Sequence, residues 1–432
     1  MKTLKFTMKN FGKVADATIE LPGITLIVGE NNSGKSTVGK ALYSLCSVFS
    51  NIEERVYDSK MLSIDEAASR VGVMFPIMEE NLKERLLSEQ VDEEGLTRLL
   101  KESNPYLADM LRDNSFAGMI KHRIKALIEE LKRVKSIEDN QYRDAVLWDY
   151  FEKTFHSQIV PLLPARGDTF LRIANGDEIK VIFDGASAAV KSSAKPQYKV
   201  CYINGLGAAN LLNSDCDLDA LEIYERELVS ELRMLQSNSS SVAGVVGARK
   251  VSNRAKLKRL WHVFNRAIPG MISRKGKGKF SVSIPGCNEP VRFENLSSGL
   301  KSFVLLWQIL DQALISDDDV LILDEPEIRL HPEWQIIYAE LIVLISITFN
   351  LRILLTSHSV DFVHALHLFV RKYKYDDHLC LYKSRVQANG FAKIENVPNN
   401  SWEVLFETFI RAIDILEKVR ASLPEDTYGQ PT

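Results

Sequence analysis

The stretch Gly29-Glu-Asn-Asn-Ser-Gly34-Lys35-Ser36-Thr37 constrains the fold of this chain more than any other. It matches GxxxxGK[ST], follows the apolar run Ile24-Thr-Leu-Ile-Val28 and opens a helical pattern over Val38 to Phe49. A strand that turns through glycines into a helix N-terminus makes a nest of backbone amides for phosphate. Gly29 and Gly34 let the amides of the turn, with Asn31, Asn32 and Ser33 between them, fold round a β-phosphate. Lys35 is placed to reach the β- and γ-phosphates, and the Ser36 hydroxyl, beside Thr37, to coordinate Mg²⁺. The expected cofactors are therefore ATP and Mg²⁺, and the expected fold class is α/β.

A second stretch, Val320-Leu-Ile-Leu-Asp324-Glu325-Pro326, has four apolar residues ending in an acidic pair. A buried parallel strand delivers such carboxylates to its C-terminal edge. Asp324 is expected to hold the Mg²⁺ shell and Glu325 to orient or deprotonate the attacking water. Thr356-Ser357-His358-Ser359 follows another apolar run, so His358 should emerge on the same edge, near a γ-phosphate. A lone histidine after a strand is more often structural. Its order after the other two motifs favours chemistry, so Lys35, Glu325 and His358 form the candidate catalytic set.

Leu296-Ser-Ser-Gly-Leu-Lys301 lies shortly before the acidic strand. It resembles the signature motif of ABC ATPases, and the order of all four motifs is similar to the RecF-, SMC- and OLD-like branch of that family. Glu327-Ile-Arg-Leu330-His331-Pro332-Glu-Trp-Gln335 further resembles the E-x-x-L-H-P-x-x-Q stretch of its AAA-type bacterial group. The resemblance implies a P-loop NTPase of ABC ATPase head type, with a mixed central sheet, an antiparallel β-subdomain and helical insertions. It also implies that Ser297 and the amides around Gly299 form an anion site for a partner protomer's γ-phosphate, giving a homodimer or higher homo-oligomer. Ser298 and Leu300 stand where transporters usually show glycine and glutamine, which argues against membrane export.

Patterning divides the chain into six segments. Residues 1–50 carry a β-hairpin and the phosphate turn, 51–155 a helical insertion, and 156–212 a β-rich part with an Asn175-Gly176 hairpin turn. Residues 213–279 form a helical lobe, 280–370 hold the signature, acidic strand and histidine, and 371–432 a strand pair and helix. With 45% hydrophobic and 26% charged residues the chain has the composition of a globular protein. The five cysteines show neither a CxxC pair nor zinc spacing, which fits a reducing cytoplasm. The run Ile336 to Phe349 is short and interrupted by Glu340, so it reads as a buried helix and no membrane is expected.

The net charge of −3 gives no global pull on nucleic acid. Yet residues 249–279 hold eleven Arg or Lys and no acid, which makes a local DNA or RNA patch at Arg254, Lys256, Lys258, Arg259, Lys275 and Lys277 a candidate. A solvated helix face with Trp261 and Phe264 packed inward is the equal alternative. Some seventy residues follow His358, too few for the Toprim nuclease of OLD-type proteins, and Asp376-Asp377-His378 reads as a loop rather than a metal site. The resemblance to ATPase components of bacterial anti-phage systems implies a dimer that senses nucleic acid or a phage product. That dimer would control a separate effector, a nuclease or toxin. A RecF-like repair ATPase and a nucleotide-locked scaffold with negligible turnover are the alternatives.

Overall fold

The computed structural model describes residues 3–71, 80–89, 92–103, 114–161, 163, 166–192, 194–196, 198–205, 217–237, 244–268, 270–275 and 279–422. Its first strands are β1 (Leu4–Phe11), β2 (Val14–Leu21) and β3 (Ile24–Gly29). β1 and β2 form an antiparallel hairpin, Leu4 facing Leu21 and Phe11 facing Val14. Every residue of β3 is buried, as expected of a strand covered on both faces, and it feeds α1 (Lys35–Ser50).

α2 (Ile52–Arg70), α3 (Glu80–Ser88), α4 (Glu93–Ser103), α5 (Asn114–Ser136) and α6 (Asp139–Phe155) follow. Residues 51–150, with 187–190, make a compact unit of their own. Helical spacing puts Met61, Ile64, Leu82, Leu86, Leu96, Leu99, Ile124, Leu127 and Leu131 into one core, while charged faces outside pair Lys83 with Asp65 and Arg85 with Glu102.

The other unit comprises 1–50, 151–186 and 191–432. Its remaining elements begin with β4 (Thr169–Asn175), β5 (Asp177–Phe183), β7 (Val200–Asn204), α7 (Ile223–Ser237) and α8 (Val245–Ala267), while β6 (Ala188–Ser192) starts in the helical unit and ends in this one. A separate three-stranded sheet, β8 (Met271–Lys275), β9 (Lys279–Ser283) and β10 (Val291–Arg292), precedes α9 (Ser298–Asp311). Then come β11 (Val320–Asp324), α10 (Pro332–Phe349), β12 (Arg352–Ser357), α11 (Val360–Lys372), β13 (Leu379–Val386), β14 (Ala392–Val397) and α12 (Trp402–Ala421).

The large sheet runs in the order β6-β5-β4-β1-β2-β14-β13-β3-β12-β11-β7. It is antiparallel at the β1, β2, β4 and β5 side and parallel from β13 through β7, so it is a mixed sheet. The strand pair in the 371–432 segment does not lie at the periphery. β13 runs parallel to β3 and β14 parallel to β2, which places both in the middle of the sheet. Register aligns the C-terminal ends of the parallel strands: Asp324 lies opposite Thr356 and Asn204, Ser357 opposite Val28, and Gly29 opposite Ser384.

α10 is apolar nearly all round and lies in the core. It starts with Pro332 in its first turn and ends at Asn350, whose φ of 51° and ψ of 44° give the left-handed cap that asparagine tolerates. Among the described residues it is the one helix long and apolar enough to cross a membrane. Glu340, 3% exposed at its centre, accepts hydrogen bonds from Tyr373 Oη at 2.6 Å, Lys372 Nζ at 2.9 Å and Arg266 Nη1. Burial alone would raise its pKa, but these donors hold it below the usual carboxylate value.

Candidate nucleotide site

Gly29 ends β3 so close to β13 that a Cβ there would lie 2.5 Å from the Ser384 carbonyl oxygen. At Gly34, φ is +85° and a Cβ would meet Val14 Cγ2 at 2.7 Å. Both positions therefore require glycine on steric grounds. Ser33 Oγ donates to Glu30 O at 2.7 Å, and Ser384 Oγ donates to Ser33 O, tying the turn to β13. Asn31 and Asn32 are exposed at its rim, and Ser36 and Thr37 are half-buried in the first turn of α1.

Lys35 is 3% exposed, and its Nζ donates to the carbonyls of Gly29 at 2.9 Å and Glu30 at 2.8 Å. Burial lowers its pKa, partly offset by Glu325 and Asp324. Glu325 Oε1 lies 3.9 Å from that ammonium. Ser36 Oγ donates to Asp324 Oδ1 at 3.1 Å, and Asp324 also accepts from Thr356 Oγ1 and, at 2.7 Å, from Tyr202 Oη. The aspartate, at the end of β11, is thus fixed from two neighbouring strands and a helix.

Glu325 has a φ of +52°, a left-handed backbone that a non-glycine residue adopts only at a cost. Its amide donates to Thr356 Oγ1 at 3.0 Å, and a Cβ on neighbouring Gly205 would lie 2.1 Å from its carbonyl oxygen. The turn swings the Glu325 side chain away from that of Asp324 and toward His358, whose Nδ1 is 3.3 Å from Glu325 Oε1. That hydrogen bond is the main cause of a raised His358 pKa and a lowered Glu325 pKa.

Lys35, Ser36, Asp324, Glu325 and His358 therefore meet at one sheet edge. Ser297 and Gly299 stand apart from them. Ser297 is the N-cap of α9, exposed, with its Oγ accepting from Leu300 N at 3.4 Å. A Cβ on Gly299 would lie 2.9 Å from the Trp334 ring, so this turn is packed against the start of α10. Among the described residues, no hydrogen bond or ion pair joins residues 297–299 to the phosphate turn.

Sequence reasoning missed Tyr202, Thr356 and Ser384, and gave Glu327 no role. A tyrosine inside the apolar run Val200-Cys-Tyr-Ile203 was the available signal, because a buried phenol needs a partner.

A family model for the AAA ATPase domain matches residues 1–363. The chain belongs to the AAA ATPase domain family. This ATPase binds nucleotide and hydrolyses ATP to ADP and phosphate. Similar solved structures include an SMC head domain from Thermotoga maritima, with 12% identity, 92% of this chain and 99% of that chain covered, and a TM-score of 0.40. Another is a Pyrococcus furiosus Smc head domain with an extended coiled coil, bound to the C-terminal domain of ScpA. There the identity is 13%, the coverage 96% and 98%, and the TM-score 0.38. No curated protein matches the chain.

The basic strip of the ATPase is partly neutralised. Arg254 Nε lies 3.0 Å from Asp311 and Lys256 Nζ 2.5 Å from Asp317, while Arg266 is bonded to Glu340. Lys258 and Arg259 are exposed on α8. The side chain of Lys275 and all of Lys277 lie outside the described residues. Trp261 and Phe264 both pack edge-on against Trp307, so the aromatics face inward.

Proposed function

We propose that the ATPase closes on a second copy of itself around ATP and that hydrolysis reopens the pair. The Ser297 turn carries this reading. It is an exposed helix N-terminus, where backbone amides favour an anion, and among the described residues no hydrogen bond or ion pair joins it to its own chain's phosphate turn. A second chain's γ-phosphate supplies the missing anion.

Within each protomer, Gly29, Asn31, Asn32, Ser33, Gly34 and Thr37 form the phosphate cradle. Lys35, now bonded to the carbonyls of its own turn, exchanges those bonds for β- and γ-phosphate oxygens. Ser36 and Asp324, a hydroxyl and a carboxylate already within hydrogen-bonding distance, fit the hard oxygen ligation of Mg²⁺. When bound, that ion neutralises phosphate charge. Glu325 Oε1 orients the attacking water and takes its proton, while His358, hydrogen-bonded to Glu325, faces the γ-phosphate.

The dimer controls a separate effector, a nuclease or toxin, in response to nucleic acid or a phage product. Support for this wider role is the resemblance of the four motifs within 1–50 and 280–370 to stand-alone bacterial ATPases of anti-phage systems, and the exposed cations of α8. An adjacent nuclease or toxin gene would strengthen it, and neighbouring recombination genes would overturn it.

Two measurements test the reading. In sedimentation with ATP, Ser297→Arg should convert dimers to monomers while a fluorescent ATP analogue still binds each chain. ATP-dependent dimers of Ser297→Arg would end the two-protomer model. Replacing Lys258 and Arg259 together by glutamate should weaken DNA or RNA binding about tenfold at low salt and reduce the salt slope by roughly two. Unchanged binding would make α8 an ordinary solvated face.

A further inference from the structure

The loop after β11 holds a carboxylate to which the hydrolytic roles above give no task. Glu327 is 3% exposed. Its Oε1 accepts from Ser357 Oγ at 2.6 Å and from the His358 amide at 3.0 Å, while Oε2 is buried without a hydrogen-bond partner among the described residues. A neutral side chain would tie this loop to β12 at a lower desolvation cost than a buried carboxylate with one oxygen unmatched. Costly polar groups of this kind persist where geometry matters more than stability.

We propose that Glu327 is the positioning residue of the hydrolytic site: it fixes the Ser357–His358 peptide so that the imidazole Nδ1 meets Glu325. This rests on the reading of Glu325 and His358 given above. His358 is the first residue beyond β12, where the ladder no longer holds the backbone. On its far side Ser359 is anchored, its Oγ donating to Gln335 Oε1 at 2.6 Å and its amide to Ser357 Oγ at 3.1 Å. On its near side, Glu327 holds the His358 amide.

The two partners are thereby tied crosswise between the ends of β11 and β12. The Glu325 amide is held by Thr356, and the His358 amide by Glu327. Losing the second tie leaves the phosphate cradle intact and frees the imidazole to wander from its 3.3 Å contact with Glu325. Misplacement of that size slows chemistry without weakening substrate binding.

The test is steady-state hydrolysis by wild type, Glu327→Ala, Glu327→Gln, Ser357→Ala and Glu325→Gln, with melting curves and binding of a fluorescent ATP analogue. Glu327→Ala should lower kcat by about ten- to a hundredfold with KM and analogue affinity within about twofold of wild type. Glu327→Gln keeps an oxygen for the same two donors and should recover to within about threefold of wild type. Ser357→Ala, which removes one donor, should lower kcat about threefold at unchanged KM.

A wild-type kcat for Glu327→Ala, an equal loss in the alanine and glutamine variants, or a KM that rises as kcat falls would overturn the proposal. If Glu327→Ala does not melt cooperatively, Ser357→Ala decides, and wild-type turnover there is fatal. Glu325→Gln separates the two levels: full turnover in that variant defeats the hydrolytic reading itself. An inert Glu325→Gln beside a fast Glu327→Ala defeats only the positioning role.

Discussion

Glu325→Gln is expected to lower steady-state ATP hydrolysis by about a thousandfold while ATP stays bound and two-protomer species accumulate. Glutamine has nearly the same shape, so the strained turn with its φ of +52° and the Thr356 tie to the amide survive. What disappears is an oxygen able to take a proton, together with the negative charge 3.3 Å from His358 Nδ1 and 3.9 Å from Lys35 Nζ. Lys35→Ala should behave in the opposite manner. The buried ammonium now satisfies two carbonyls of the phosphate turn, and it is the group that matches the triphosphate charge. Its loss should abolish nucleotide binding, and with it dimer formation. Phosphate release combined with gel filtration in radiolabelled ATP reads both variants. A glutamine variant turning over within about a factor of two of wild type would remove Glu325 from the chemistry.

A chain ending after His378 is expected not to fold, although its family match ends at residue 363. The missing β13 and β14 are interior strands, paired on one side to β3 and on the other to β2. Leu381 is fully buried, and Leu379, Tyr382, Ala392 and Val397 nearly so. Their removal strips hydrogen-bond partners from two strands and opens the apolar middle of the sheet to water. The phosphate turn loses its support as well, because Ser384 bonds Ser33 and Ala392 lies against Gly34. Solubility and circular dichroism melting report the outcome. A truncated chain that melts cooperatively and binds ATP would show that the two sheet halves stand alone.

The phosphate turn, the acidic strand and the histidine segment were legible in the sequence because each chemical residue directly follows an apolar run. A parallel strand in register then needs no further information to put Asp324 beside Thr356 and Ser357 beside Val28. The strand character of 379–397 was legible too, but its place was not. Alternating side chains identify a strand and not its neighbours, and pairing with β2 and β3 spans most of the chain. The partner of Tyr202 and the role of Thr356 were invisible for a related reason: a phenol or a threonine within an apolar run names no partner, and only the fold supplies Asp324. The basic strip shows the same limit. A count of cations along α8 omits Asp311, Asp317 and Glu340, which lie 57, 61 and 74 residues further on from the cations they hold.

The seat of β13 and β14 also bears on biosynthesis. Ser33 leaves the ribosome 351 residues before Ser384, its partner beneath the phosphate turn. At ordinary elongation speeds that interval lasts about 20 to 70 s. Throughout it β2 and β3 each wait with an open edge, the kind that captures other chains. Nascent copies of this ATPase should therefore depend on chaperone shelter until translation has passed residue 397, and nucleotide cannot assist their folding before then.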